Sequence, residues 1–103
     1  MGDRIEFVEV ARVTHFYASD KLTYAATPKK DYVVDYTIAE LEGTLEPAKF
    51  VRIHRATIVN IEAVKELYSW FSERMMVRIN DGKDTELTVA RDRVKTLKER
   101  LGL

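Results

Sequence analysis

The stretch from Phe50 to Asn60 reads FVRIHRATIVN, and it decides the fold class of the chain. Apolar residues dominate on both sides of a short polar centre, which is the pattern of two β-strands joined by a bend. The polar centre, His54 to Thr57, holds an imidazole, a guanidinium and a hydroxyl. A bend presents such groups at the tip of a rigid scaffold, where Arg55 could address a phosphate or the edge of a guanine. An ordinary polar turn, with His54 bonded to backbone and Arg55 solvated, also fits these residues.

Strand patterns extend outward from this stretch in both directions. Period-two alternation and short apolar runs predict further strands over residues 5–10, 13–17, 22–26, 32–36, 64–71, 75–80 and 86–90. Asn80-Asp81-Gly82 is a tight-turn signal between two of them. Alternation places Tyr68 and Trp70 on one face of their strand and Phe71 on the other, so we expect at least one of these aromatic residues to be exposed. For the run as a whole the sequence predicts core packing, with a contact surface for a second protomer or a receiver domain as the alternative. The sequence therefore predicts a mainly β fold of antiparallel sheets.

Two short helices interrupt the strand patterns. Thr37 and Glu40 have the spacing of a capping box, in which each side chain bonds a free backbone amide of the first helical turn. This predicts a short helix near residues 38–45, limited by Gly43 and Pro47. The apolar spacing of Val94, Leu97 and Leu101 predicts a C-terminal helix near residues 91–101.

Composition bounds the function classes. The chain has 103 residues, 17 Lys and Arg against 17 Asp and Glu, and no Cys. This length predicts a single domain over residues 1–103. No apolar run approaches the roughly 20 residues of a membrane span and no signal peptide is visible, so we expect a cytoplasmic protein that does not enter a membrane. The absence of Cys excludes disulfides and Cys-ligated metals.

The chain lacks the residue patterns of an enzyme. His15 and His54 are the only histidines, and neither a nucleophile elbow nor a phosphate-binding glycine loop is present. The two histidines match no metal-ligand spacing. We therefore expect no catalytic residue, no metal and no cofactor.

The zero net charge is the sum of two unlike halves. Residues 1–51 hold six Lys and Arg against nine Asp and Glu, a net −3, and residues 52–103 hold eleven against eight, a net +3. Five basic residues fall within ten positions near the C-terminus: Arg91, Arg93, Lys95, Lys98 and Arg100. A basic edge of this kind can contact phosphates even in a neutral domain.

These residues carry a resemblance to a known family. The chain resembles LytTR-type DNA-binding domains, the output modules of many bacterial response regulators. The family shows a Phe-x-Arg-Ile/Val-His-Arg-Ser-aromatic-Ile-Val-Asn block, which residues 50–60 reproduce except for Ala56 and Thr57. Residues 87–91, Leu-Thr-Val-Ala-Arg, stand where the family has Leu-Pro-Val-Ser-Arg. The resemblance covers nearly the whole chain.

The resemblance implies a fold and a set of contacts. LytTR domains form an elongated stack of antiparallel sheets with about ten strands, and their loops enter successive major grooves of bent DNA. Carried over to this chain, base contacts fall to Arg55 and Arg91. Backbone or supporting contacts fall to five further residues: Lys21, Thr23, His54, Thr57 and Arg93.

The function implied is sequence-specific binding of double-stranded DNA by a bacterial transcriptional regulator. Family habit further implies a homodimer on paired half-sites and fusion to a receiver or sensory domain. The alternative is a β-rich module that binds a protein or a small anion, in which the His54-Arg55 bend captures a carboxylate or phosphate. A salt titration of binding to random duplex separates the two, because DNA binding weakens steeply as salt rises.

Overall fold

In this protein, a stretch of alternating apolar and polar residues forms a strand where a neighbouring strand is available to pair with it. A computed structural model describes residues 5–103 and confirms the mainly β fold. The strands are β1 His15–Ser19, β2 Leu22–Ala26, β3 Asp31–Val34, β4 Phe50–His54, β5 Thr57–Asn60, β6 Val64–Ser69, β7 Met75–Ile79 and β8 Glu86–Thr88. The α-helices are α1 Ile38–Thr44 and α2 Val94–Arg100. Single 3₁₀ turns cover Val10–Arg12, Ile61–Ala63 and Arg91–Arg93, and a turn with left-handed backbone covers Phe71–Glu73.

The strands form two antiparallel sheets. Sheet A has five strands in the order β3-β2-β1-β5-β4, and sheet B has three in the order β6-β7-β8. The described part of the chain measures 49 × 28 × 25 Å, which agrees with the predicted elongated shape. None of its helices is long and apolar enough to span a membrane.

The predicted number of about ten strands was too high, since residues 5–103 contain eight. The expected strand over residues 5–10 is absent from the described part of the chain, and a 3₁₀ turn begins at Val10. Ile5 is 80% and Phe7 93% exposed, and only Val8 is partly buried, against the hydrophobic core that contains Phe16 and Phe50. Within residues 5–103, the alternating residues therefore have neither a partner strand nor a core to cover. The predicted domain of residues 1–103 includes Met1–Arg4, which lie outside the described residues.

Sheet A separates two hydrophobic cores. On one face, Phe16, Phe50 and Ile58 pack under Ile38 and Leu41 of α1. On the opposite face lies the second core, in which sheet A meets sheet B and α2; its fully buried members include Ile53, Val59, Val77, Ile79 and Leu97. The hairpin of β4 and β5 therefore buries both of its faces.

The two helices differ in how they begin. The predicted capping box of α1 is confirmed, because Glu40 N donates to Thr37 Oγ1 at 3.0 Å and Thr37 N donates to Glu40 Oε1 at 2.9 Å. The C-terminal helix starts three residues later than predicted, after the 3₁₀ turn Arg91–Arg93. Arg93 N donates to Ala90 O at 2.9 Å within this turn, so Arg91 lies on a turn and not on a helix.

Asp81 holds the loop between β7 and β8. Its carboxylate accepts hydrogen bonds from Lys83 N at 2.9 Å, Thr85 N at 3.3 Å and the Thr85 hydroxyl. Desolvation by burial would raise the pKa of Asp81, but these hydrogen bonds outweigh it and the pKa lies below the ordinary 3.8. Gly82, at φ +80°, supplies the left-handed residue that the loop requires.

We predict that Asp81→Asn lowers the free energy of unfolding by about 1–2 kcal/mol at neutral pH, because an amide cannot accept all three hydrogen bonds. Because the pKa of Asp81 is lower in the folded protein than the ordinary value of 3.8, the ionised carboxylate stabilises the fold at pH values above 3.8. This stabilisation is lost as the pH falls through the pKa of the folded protein. Urea unfolding at neutral pH and at a pH well below 3.8 measures both the loss of stability and its dependence on pH. Asp84→Asn is the control, since Asp84 contacts only the exposed Lys65. Equal effects of the two substitutions would contradict the role of Asp81.

Candidate nucleic-acid interface

The turn between β1 and β2 is a tight two-residue turn at one end of sheet A. Ser19 pairs with Leu22, so Asp20 and Lys21 alone connect the strands, and both have positive φ, at 50° and 69°. These values are typical of a type I′ turn, whose twist matches that of an antiparallel hairpin. The Lys21 side chain is therefore exposed beyond the end of the sheet.

The turn between β4 and β5 lies at the same end. His54 pairs with Thr57, which leaves Arg55 and Ala56 as the turn, and the register shifts between Arg52 and His54 as in a β-bulge. Ala18 N donates to Ala56 O at 2.9 Å, which ties this turn to β1 next to the Lys21 hairpin. Arg55 is exposed, as the sequence predicts for a residue at a bend.

The turn that begins at Arg91 lies at the same end of sheet A, because the residue before it contacts β4. Ala90 N donates to Ile53 O at 2.7 Å, so the residue before Arg91 is fixed against the residue before His54. Arg91 is exposed. The structure therefore brings together the three elements that the sequence singles out, from distant parts of the chain.

Sequence reasoning missed a fourth element, the loop between β6 and β7. Its backbone closes where Trp70 N donates to Arg74 O at 2.6 Å, and Ser72 and Glu73 have positive φ. One open recess is lined both by Ser72 to Met75 of this loop and by His54, Ala90 and Arg91. Arg74 therefore lines the same recess as His54 and Arg91. The only sequence signal was one Arg between two strand patterns.

The arginines divide sharply by their surroundings. Residues 5–103 contain eight, of which five form an ion pair with a carboxylate or donate to a backbone carbonyl: Arg12, Arg52, Arg78, Arg93 and Arg100. The guanidinium groups of Arg55, Arg74 and Arg91 have no hydrogen-bond or ion-pair partner among the described residues. All three lie at the end of the domain just described, so free guanidinium donors concentrate there.

His54 has one ring nitrogen engaged. Ala56 N donates to His54 Nδ1 at 3.2 Å, so Nδ1 of the neutral ring is an acceptor and the proton is on Nε2. The ring is half-buried and lines the same recess as Arg91. This arrangement leaves Nε2–H as a donor, which suits acceptors such as guanine O6 and N7 or a phosphate oxygen.

The other predicted contact residues are less accessible. Thr23 is buried on the α1 side of sheet A. Thr57 is half-buried beside Tyr17. The Arg93 guanidinium lies 3.7 Å from the Glu42 carboxylate, and its side chain is one-third exposed.

His15 lies apart from the candidate interface. His15 is buried in sheet A, and burial lowers its pKa although Asp31 and Asp81 partly oppose that effect. No cluster of three or more potential ligands within residues 5–103 could hold a metal ion. Trp70 is 53% and Phe71 79% exposed, so the predicted exposure of at least one aromatic residue is confirmed, and the predicted core packing is wrong for these two.

The comparison with protein families covers almost the whole chain. The family model for the LytTr DNA-binding domain matches residues 3–102. In structure, the chain is similar to the LytTr DNA-binding domain of a methyl-accepting/DNA response regulator from Bacillus cereus. The TM-score is 0.83 at 24% sequence identity, over 93% of this chain and 86% of that one.

The curated relatives are longer bacterial regulators. The transcriptional regulatory protein YpdB of Escherichia coli is 30% identical over 101 residues, which are 98% of this chain and 41% of YpdB. The transcriptional regulatory protein LytR of Staphylococcus aureus is 29% identical over 103 residues, all of this chain and 41% of LytR. The chain thus spans about two-fifths of the length of the curated relatives it matches.

We predict that the neutral His54 ring is the Nε2–H tautomer, because the Ala56 amide occupies Nδ1. Long-range ¹H–¹⁵N correlation spectra at alkaline pH distinguish the two ring nitrogens by their chemical shifts. His15, whose Nδ1 lies 3.0 Å from the Thr14 hydroxyl, provides an internal comparison. A proton on Nδ1 of His54 would contradict the geometry of the turn.

Proposed function

The chain belongs to the LytTR family of DNA-binding domains, and from that membership we propose that its loops read specific sequences of double-stranded DNA. The observation that carries this proposal is the clustering of Arg55, Arg74 and Arg91, whose guanidinium groups lack partners within the described residues. Elsewhere among those residues, guanidinium groups are engaged with the protein itself. Free planar donors at one end of a rigid sheet suit bidentate contacts with guanine or phosphate.

We assign the base contacts to Arg55 and Arg91. Each lies at the tip of a turn whose backbone is fixed by sheet pairing or by the bond from Ala90 N to Ile53 O. A guanidinium that pairs with guanine O6 and N7 discriminates against the wrong base by about 1–3 kcal/mol. His54, with Nε2–H free, supports them from the recess that it lines together with Arg91.

Phosphate contacts belong to residues at the edge of this surface. Lys21 is a flexible point charge at an exposed turn, which suits a phosphate better than a base edge. Arg74 extends the same surface from sheet B. Arg93 keeps donors beyond the one that faces Glu42, and Thr57 adds a hydroxyl, whereas the buried Thr23 supports the Lys21 hairpin from within.

The remainder of the proposal concerns the protein in which this domain works. We infer a bacterial transcriptional regulator in the cytoplasm, because the curated relatives are bacterial regulatory proteins more than twice as long. Fusion to a receiver or sensory domain and binding as a homodimer to paired half-sites complete the proposal. Selection of bound sequences from a random duplex library tests pairing directly, since a dimer selects two half-sites at a fixed spacing.

We predict that Arg55→Ala reduces the preference for the selected sequence over random duplex by about 5- to 150-fold, the equivalent of losing one bidentate base contact. Lys21→Ala should instead weaken binding to both duplexes alike and reduce the slope of log K against log salt by about one phosphate. Fluorescence anisotropy over a range of salt concentrations measures both quantities.

Lys29→Ala is the matched control, because Lys29 is an exposed lysine in the turn at the other end of β2. It should change neither sequence preference nor salt slope. If Arg55→Ala leaves the preference intact while Arg93→Ala relaxes it, the two assigned roles are reversed. If salt has little effect on wild-type binding, the DNA proposal gives way to the small-anion alternative.

A further inference from the structure

One peptide group joins the two residues at the tip of the β4–β5 hairpin. Its carbonyl, Arg55 O, accepts a hydrogen bond from Arg52 Nη2 at 2.6 Å. Its amide, Ala56 N, donates to His54 Nδ1 at 3.2 Å. Arg55 O and Ala56 N belong to the same planar peptide group, so a bond that fixes the carbonyl also fixes the direction of the amide. The orientation of the His54 ring, which accepts from that amide, therefore depends on the group that holds Arg55 O.

Arg52 holds this plane from inside the protein. Its side chain is 18% exposed, and its guanidinium has three acceptors: Glu42 Oε1 at 2.9 Å, His54 O at 3.3 Å and Arg55 O at 2.6 Å. The last two are backbone carbonyls at the tip of the β4–β5 hairpin. A guanidinium can bond all three because its donors are arranged in one fixed plane, which a lysine cannot reproduce.

Glu42 connects this arrangement to the Arg91 turn. While Oε1 accepts from Arg52, its other oxygen, Oε2, lies 3.7 Å from Arg93 Nη1. Arg93 ends the 3₁₀ turn that begins at Arg91. One carboxylate on α1 therefore faces guanidinium groups from both elements to which we assign base contacts.

We propose that Glu42 and Arg52 are positioning residues for DNA recognition: together they fix the direction of the His54 ring and of Arg55, and they hold the β4–β5 tip in register with the Arg91 turn. Neither needs to touch a base or a phosphate. The inference rests on the proposed function, because the surface that these two residues hold in place is the one proposed to bind DNA.

The proposal predicts effects of opposite sign for Glu42→Gln. Loss of positioning weakens binding to the selected sequence, which requires aligned donors. Loss of a negative charge near the interface, together with release of Arg93, strengthens binding to random duplex. A residue that merely stabilised the fold would weaken both.

The experiment compares Glu42→Gln with Glu46→Gln in the intact domain. Glu46 follows α1 by two residues, and its side chain makes no hydrogen bond or ion pair with the described residues, so it controls for charge alone. We expect Glu42→Gln to lower the ratio of selected to random affinity by about tenfold, with random binding tighter by up to about threefold. Glu46→Gln should leave the ratio within about twofold. Arg52→Lys, which keeps the charge but not the planar donors, should lower the ratio as Glu42→Gln does.

Amide hydrogen exchange at Ala56 is a second readout that needs no DNA. Exchange at this amide should accelerate by about tenfold in Glu42→Gln and in Arg52→Lys, but not in Glu46→Gln. An unchanged Ala56 rate, or a ratio that falls equally in both glutamate variants, overturns the positioning role. If the wild-type domain fails to bind DNA, the proposed function fails, and the Ala56 exchange rate alone then decides whether Glu42 and Arg52 order the turn.

Discussion

The β4–β5 hairpin has to bury both of its faces while keeping a polar tip in solvent, and the rest of the structure is arranged around that constraint. Phe50 and Ile58 face the core under α1, and Ile53 and Val59 face the core shared with sheet B. Each fully buried aliphatic side chain contributes about 1.5–3 kcal/mol relative to exposure. A one-residue slip would exchange the two faces, so the register of the hairpin, and with it the position of its tip, is strongly specified.

That constraint explains why much of the fold was predictable from local pattern. Alternation around Phe50 to Asn60 identifies the hairpin, and Thr37 with Glu40 identifies the start of α1 because both partners of the capping box lie within four residues. Prediction failed where the outcome depends on distant partners. Residues 5–9 alternate but form no strand in the structure, and Trp70 and Phe71 look like core residues but lie at a tip that nothing in the described chain covers.

The candidate site shows the same division between local and distant information. Arg55 stands out in the sequence because it interrupts an apolar pattern, and Arg91 through a resemblance, whereas Arg74 has neither signal. The link from Glu42 through Arg52 to the peptide group of Arg55 and Ala56 joins α1 to a β-turn, which no spacing rule anticipates. The zero net charge of the chain gives no indication of the candidate interface. Arginines that are paired with carboxylates contribute little to the local electrostatic field, whereas the three arginines without partners among the described residues lie at the same end of the domain.

We propose that DNA binds where the turns at Lys21, Arg55, Arg74 and Arg91 converge. The most direct test is an NMR titration of the isotope-labelled domain with a duplex selected from a random library, followed at every assigned backbone amide and arginine side chain. The largest chemical-shift changes should map to those four turns and to His54, with little change at the far end of sheet A around Pro28 to Lys30. Shift changes concentrated at that far end, or on the solvent face of α1 with the four turns unaffected, would contradict it.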